Sequence, residues 1–350
     1  MRHDHLLVIR FSALGDVAMT VPVIWALARQ YPEVRITVLS RPFARSFFQN
    51  LAPNVNFMSA DLKREYHGVK GLNALYRRLT AKQFTAVADL HNVLRSEYLS
   101  LRFHLGHFRV EHLNKHRSQR RMLVAPQPKK VLQPLPTPFE NYLDVFARLG
   151  YPIDPSNLCF KSLSFPETPE YTAILQHTIL QSPCIGIAPF AAHRGKTYPP
   201  KQMEKVIDLL IQAHPEARIL LFGRGQQEDE FFAQCIVKWP NCITASSIAK
   251  DLYQELMLMS KLKVMVSMDS SNMHLASLVG IPVVSIWGAT HPYAGFMGWG
   301  QSDDNSLQIS SLDCRPCSIY GNKPCLRGDY ACLYGIAPER VVEKIEELWG

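Results

Sequence analysis

No apolar run in this 350-residue chain is longer than a strand. The longest are interrupted and fall short of the roughly 20 residues that a membrane-spanning helix needs. Met1 to His5 is polar and charged, without the apolar stretch of a secretory signal, so the sequence reads as a cytoplasmic protein. Low-complexity tracts and repeats of solenoid length are missing too, which sets aside disorder and stacked-repeat architectures. No recognised nucleic-acid motif occurs, and aromatic residues do not interleave with basic ones in the manner of a single-strand binder. What remains is globular composition, 47% hydrophobic and 19% charged, in a chain long enough to split into two cores.

The most informative stretch is Val264 to Gly288, VMVSMDSSNMHLASLVGIPVVSIWG. A β-branched apolar run ends in Asp269, Ser270 and Ser271, a helix-compatible segment continues to Gly280, and Pro282 opens a second strand-like run. Ser270 and Ser271 are suited to cap that helix, whose N-terminal N–H groups and dipole favour an anion such as phosphate. Asp269 and His274 stand at the same corner. An ordinary strand–helix turn is the better explanation of the pattern when it is taken alone.

The first forty residues hold a matching unit. LLVIRF (Leu6 to Phe11) precedes the turn Ser12-Ala13-Leu14-Gly15-Asp16, a helix-like run to about Tyr31 and the strand RITVLS (Arg35 to Ser40). A helix-like segment from Arg41 to Leu51, the strand VNFMSA and a basic amphipathic segment near Gly71 to Lys82 follow. TAVADLH (Thr85 to His91) is the next buried strand, with Asn92 and Arg95 just past it, and Thr137 to Leu149 reads as a closing helix. Strands alternating with helices predict an α/β protein with parallel, doubly wound sheets whose ligand crevice lies outside the strands' carboxyl ends. Asp16, Asp89, His91 and Asn92 are therefore expected along one edge.

A proline-containing connection from Tyr151 to Pro169 leads to the second half. It begins with CIGIAPF and the loop AAHRGKTYPP, which sets Arg194 and Lys196 between a strand end and a helix at about Lys201 to Ala213, where two cations suit a pyrophosphate as well as they suit solvent. RILLFGRG follows, but Glu228 occupies the third glycine position of the dinucleotide fingerprint, which speaks against a nicotinamide cofactor. NCITASS, a helix over about Asp251 to Ser260, and a last amphipathic helix from Pro338 complete the chain.

Net charge is +8, and its densest part runs from Arg102 to Lys130, with five Arg, three Lys and four His against Glu111 alone. That stretch is read as a solvated loop and helix face or as a surface for an anionic partner. Four of the eight cysteines cluster as Cys314-x2-Cys317-x7-Cys325-x6-Cys332. A structural Zn²⁺ in a Cys₄ site is one reading and reduced thiols are the other. No catalytic metal is implied.

Three blocks together resemble the glycosyltransferase family 9 heptosyltransferases, which extend the lipopolysaccharide inner core from ADP-heptose. They are VIRFSALGDVAMTVPVI, the loop HRGKTYPP with Lys196, and MDSSNMHLASLVGIPVVSIWGATHP; their order and spacing agree from Val8 to about Pro292. The resemblance implies a GT-B architecture of two facing Rossmann-like domains, residues 1–165 on the acceptor side and 166–337 for the nucleotide sugar, with the helix 338–350 packing back on the first. It implies inverting transfer without a metal or other required cofactor. Asp16 would be the general base and Lys196 the pyrophosphate cation. Arg194, Glu228, Asp269, Ser270, Ser271, Asn272 and His274 would contact the donor, and Ser271 stands where the family usually has glycine. Acceptor contacts are expected from Ser12, Arg95, Arg117, Arg120 and Arg121. The expected partners are the nucleotide sugar, an anionic lipid-linked saccharide and the inner-membrane leaflet as a peripheral contact, not nucleic acid. Transfer of another activated sugar, a nicotinamide-dependent oxidoreductase and a non-catalytic nucleotide-sugar-binding module stand as alternatives.

Overall fold

The short aliphatic runs become buried strands, because a strand covered on both faces by helices needs apolar side chains on both. The computed structural model describes residues 4–349. His5–Ile9 (β1), Arg35–Ser40 (β2), Val55–Ser59 (β3), Ala86–Asp89 (β4) and Arg109–His112 (β5) form one sheet in the order β3-β2-β1-β4-β5. Each neighbouring pair is parallel. The strand order reverses beside β1, and the register sets Ile9 opposite both Leu39 and Asp89. The segments leaving β1 and β4 therefore run out side by side.

A second parallel sheet repeats the plan. It contains Cys184–Ala188 (β6), Arg218–Leu221 (β7), Cys242–Thr244 (β8), Val264–Met268 (β9), Val283–Ile286 (β10) and Ser306–Leu307 (β11) in the order β11-β10-β9-β6-β7-β8. Ala188 pairs with Ser267, so the loops after β6 and β9 are neighbours, and those loops carry Lys196 and Asp269. Both sheets match the GT-B expectation of two parallel-sheet α/β units.

The chain divides into two compact units. The first runs through Lys115 and resumes over Pro136–Ser164; the second comprises His116–Leu135 and everything from Phe165. Two segments thus lie elsewhere than the sequence analysis set them. The segment His116–Leu135 is part of the second unit: the Lys130 ammonium donates to the carbonyls of Asp313, Arg315 and Pro316, and the Leu135 amide donates to Tyr293. The helix Pro338–Trp349, expected on the first unit, is part of the second, with Val341 and Ile345 in that core and Trp349 stacked on His214. Its apolar face finds the helix Pro200–Ala213, and Tyr198 fixes its start by donating to the Ile336 carbonyl at 2.7 Å.

Three local features also differ. The stretch 41–51 is a short 3₁₀ turn and a single helical turn, Arg45–Phe48. The basic stretch 102–130 contains the edge strand β5 and the helix Arg117–Leu123. A helix, Leu94–Leu105, follows β4 where none was foreseen.

Candidate active site

In the first unit the chain leaves β1 through Arg10 and Phe11, turns at Ser12, and enters the helix Leu14–Ala18 with Asp16 in its first turn. Asp16 accepts from the Ala13 amide at 3.1 Å through Oδ2, and its Oδ1 lies 2.9 Å from the Arg10 guanidinium. Both contacts and the helix N-terminus favour the anion. Arg10 also donates to the Leu90 carbonyl. Burial would lower the Arg10 guanidinium, but Tyr142, Asp16 and Asp89 around it raise it above its ordinary value. The ion pair is uneven: the Arg10 side chain is 9% exposed and that of Asp16 34%. Arg10 was missing from the sequence-derived site.

Asp89 closes the end of β4. Its Oδ1 accepts from the amides of His91 at 2.9 Å and Asn92 at 2.8 Å, and its Oδ2 accepts from Ser100 and lies 3.6 Å from His112. Burial alone would raise this carboxyl; hydrogen bonding from His112, Asn92 and His91 brings it below its ordinary value. The same carboxylate raises His112, against burial. With its backbone thus fixed, His91 turns Nε2 to within 3.3 Å of Ser12 Oγ. Burial and then the Arg10 charge push the imidazole down to about 4, so it is neutral at neutral pH. The sequence expectation that Asp16, Asp89, His91 and Asn92 line one edge therefore finds its geometric basis here, with Ser12 among them. Arg95 is exposed on the following helix.

In the second unit, the 3₁₀ turn Arg194–Lys196 brings Lys196 Nζ to 3.3 Å from Asp269 Oδ2. The contact is an ion pair without hydrogen-bond geometry. The unevenness is reversed: Asp269 is 6% exposed and Lys196 16%. Gly321, at φ +72°, passes so close that a Cβ there would overlap the Lys196 stem. Arg194 lies over the Tyr330 ring at 4.6 Å.

Ser270 is the N-cap of the helix Ser271–Leu278, but its hydroxyl makes no capping bond and instead meets Ser267 Oγ at 3.2 Å. Side-chain capping by Ser270 was therefore the wrong reading. Ser271 and Asn272 are half-buried in the first turn and His274 is buried behind them. Glu228 folds back over the loop after β7, where the absence of a Cβ at Gly223 and Gly225 leaves room for its side chain.

The remaining expectations separate. Arg117, Arg120 and Arg121 belong to the second unit, whereas Ser12 and Arg95 belong to the first. Arg120 is held by Tyr320, whose hydroxyl it meets at 2.9 Å, and by the Phe296 ring. Cys314, Cys317, Cys325 and Cys332 line one small cavity, yet among the described residues no three His, Cys, Asp or Glu converge to hold a metal ion. The structural zinc that the cysteine spacing allowed finds no support. Burial raises the Cys317 thiol above its ordinary value and pushes that of Cys332 to about 11. Arg315, buried beside them, instead donates to the carbonyls of Gly288, Ile309, Trp287 and Thr290 and to Gln308. No helix among the described residues is long and apolar enough to cross a membrane.

Comparison with known proteins gives the family and the fold. The family model described as glycosyltransferase family 9 (heptosyltransferase) matches residues 72–323. A lipopolysaccharide core heptosyltransferase OpsX of Haemophilus influenzae is 22% identical over 292 residues, 82% of this chain and 80% of its own. A lipooligosaccharide heptosyltransferase 2 of Campylobacter jejuni is 23% identical over 96% of both chains. Among solved structures, the Escherichia coli ADP-heptose lipopolysaccharide heptosyltransferase II shares the fold at a TM-score of 0.68 and 19% identity, over 99% of this chain and 98% of that one.

Proposed function

Because the chain belongs to glycosyltransferase family 9 (heptosyltransferase), we propose that it transfers heptose from ADP-heptose to a lipid-linked saccharide of the lipopolysaccharide inner core, with inversion. The observation that supports this reading most is a carboxylate, Asp16, and an ammonium, Lys196, each held at the carboxyl edge of its sheet by a partner more buried than itself.

In an inverting displacement the acceptor oxygen bonds to the anomeric carbon as the bond to the diphosphate oxygen breaks. The acceptor's proton passes to Asp16 as the hydroxyl acidifies in the transition state. Negative charge then grows on the leaving diphosphate, where Lys196 and the first-turn N–H groups of Ser271 and Asn272 stabilise it; Arg194 adds charge at the same loop. Glu228 bonds the ribose hydroxyls, and Asp269, Ser270 and His274 shape the phosphate corner. Ser12, Arg95, Arg117, Arg120 and Arg121 contact the anionic acceptor. No step passes through a metal ion. A lipid-linked acceptor places the enzyme in the cytoplasm, against the inner leaflet.

The test is nucleoside diphosphate release from a panel of ADP- and other nucleotide-activated sugars, with a Kdo–lipid A acceptor, for the natural chain and for Asp16→Ala. Acceptor-dependent ADP release from ADP-heptose, lost in the variant while donor binding persists, is the expected result. Release from a different donor alone would replace the heptose assignment, and undiminished turnover by Asp16→Ala would remove the base.

A further inference from the structure

The helix Leu94–Leu105 carries apolar residues on two opposite sides. At 100° per residue, Ser96, Leu99, Ser100 and Phe103 share one face, and all four are buried against the first unit's core. Leu94, Leu101 and Leu105 are spaced i, i+7 and i+11, so they fall within a narrow stripe on the opposite face. They are 83%, 56% and 66% exposed. Such a stripe is not required by the fold, since the core-facing side already holds the helix in place.

Its surroundings identify what covers it. Arg95 and Arg102 border the stripe on one side by helical position, and Arg102 is set there by a cation–π contact with Tyr76 at 4.5 Å. Tyr98 donates to Asn73 at 2.9 Å, which ties this helix to its neighbour Gly68–Thr80. That neighbour exposes Val69, Lys70 and Arg77. The two helices together hold five Lys and Arg (70, 77, 78, 95 and 102) against the single acid Glu97. Exposed leucines with Arg95 and Arg102 along one side, Glu97 along the other and a net positive charge over the two helices match a bilayer surface, whose acyl boundary takes the leucines while anionic headgroups take the charge. A second copy of this chain is the poorer occupant, because a two-fold contact centred on the stripe would bring the same cations face to face.

We infer that the Leu94–Leu101–Leu105 stripe is a docking surface for an anionic lipid leaflet, by which the first unit lies on the membrane that bears its acceptor. The inference rests on the lipid-linked acceptor proposed above, but its test does not depend on turnover. The full chain is sedimented with vesicles of phosphatidylethanolamine and phosphatidylglycerol, with phosphatidylcholine vesicles as the neutral control. The comparison is with a Leu101→Ser, Leu105→Ser variant, and circular dichroism checks that its fold is retained. Binding to the anionic vesicles should fall at least tenfold in the variant and should be weak for either chain on phosphatidylcholine. Rates on a delipidated, soluble acceptor should stay within twofold. Equal vesicle binding by the two chains, or none by the natural chain, would overturn the inference. So would a dimer of the natural chain that the variant dissociates, because the stripe would then be covered by a second copy. Should vesicle binding depend on the leucines while no sugar is transferred, the proposed function fails and the docking surface stands.

Discussion

Each unit ends a central strand in an ion pair, and the two pairs are built the opposite way round. After β1 the cation Arg10 is buried and the carboxylate Asp16 is the more exposed partner; after β9 the carboxylate Asp269 is buried and the cation Lys196 is the more exposed. In both, the deeper member is a buried counter-charge and the outer member is the more exposed of the two. The outer charge has the sign that its proposed task requires, negative to take a proton and positive to meet a diphosphate. The comparison is broken most directly at Asp16. Asp16→Asn should lower kcat by about 10³-fold, within the roughly 10²- to 10⁴-fold range of general base catalysis, with donor binding unchanged. Steady-state rates alongside calorimetric titration with ADP would check this, and a loss of donor affinity instead would mean that both outer charges serve the same ligand.

Lys196→Met is the matching break in the second unit. A preorganised charge aimed at a leaving group contributes about 10²- to 10³-fold, so kcat should fall by about 10²-fold. ADP affinity should fall with it, as Asp16→Asn affinity should not. A rate loss larger than that of Asp16→Asn would reverse the order of the two charges. Lys196 meets Asp269 at 3.3 Å and is the more exposed partner of the pair, so it is the charge that a substitution there would remove from the site's surface.

The inner partners explain which parts of this were legible in the sequence. Asp16, Lys196 and Asp269 stand at the ends of aliphatic runs, and buried parallel strands are the elements that such runs report best. Arg10 was overlooked inside LLVIRF because a cation beside a strand ordinarily faces water. Only the register of β1 against β4 shows that it turns inward to Leu90 and Asp16. The helix Leu94–Leu105 was invisible for a different reason, as apolar residues on two opposite faces cancel the periodicity that marks an amphipathic helix. β5 is an edge strand, RVEH, with no fully buried residue, so it had no hydrophobic signature to read. The last helix was recognisable from its periodicity, but periodicity says which face is apolar and not which core receives it.

A smaller perturbation sharpens the second half of the comparison without touching a charge. Gly321→Ala would push the Lys196 stem aside and strain a backbone at positive φ. A displacement of an ångström at a reacting group can cost up to 10²-fold; a flexible lysine re-aims in part, so about tenfold in kcat is expected. Gly328→Ala, also at positive φ but with nothing near its Cβ, is the control and should leave the rate within twofold. If both lower the rate equally, loop strain and not the aim of Lys196 is the cause.

The smallest expected effect concerns the pH dependence of the first unit, where His91 supports the Ser12 side of the acid corner. Its folded pKa of about 4 lies below the ordinary 6.5, so the fold favours the neutral ring. The sign follows from proton binding. Between pH 6.5 and about 4 the unfolded chain binds a proton that the folded chain does not, and stability falls as pH falls through that window. At about 1.4 kcal/mol per pH unit, the loss from this residue is about 1 kcal/mol by pH 5.5. His91→Gln removes the titration and keeps a side chain able to bond Ser12, so its thermal midpoint should decline less between pH 7 and 5.5 than that of the natural chain. His291, also pushed down to about 4 by burial and then by Arg315 and Lys130, contributes the same slope to the second unit. A residual acid dependence in His91→Gln is therefore expected, and His291→Gln should remove its share without altering the acid corner. Were His291→Gln alone to abolish the whole dependence, His91 would be titrating normally and its burial between Arg10 and Ser12 would not hold in solution.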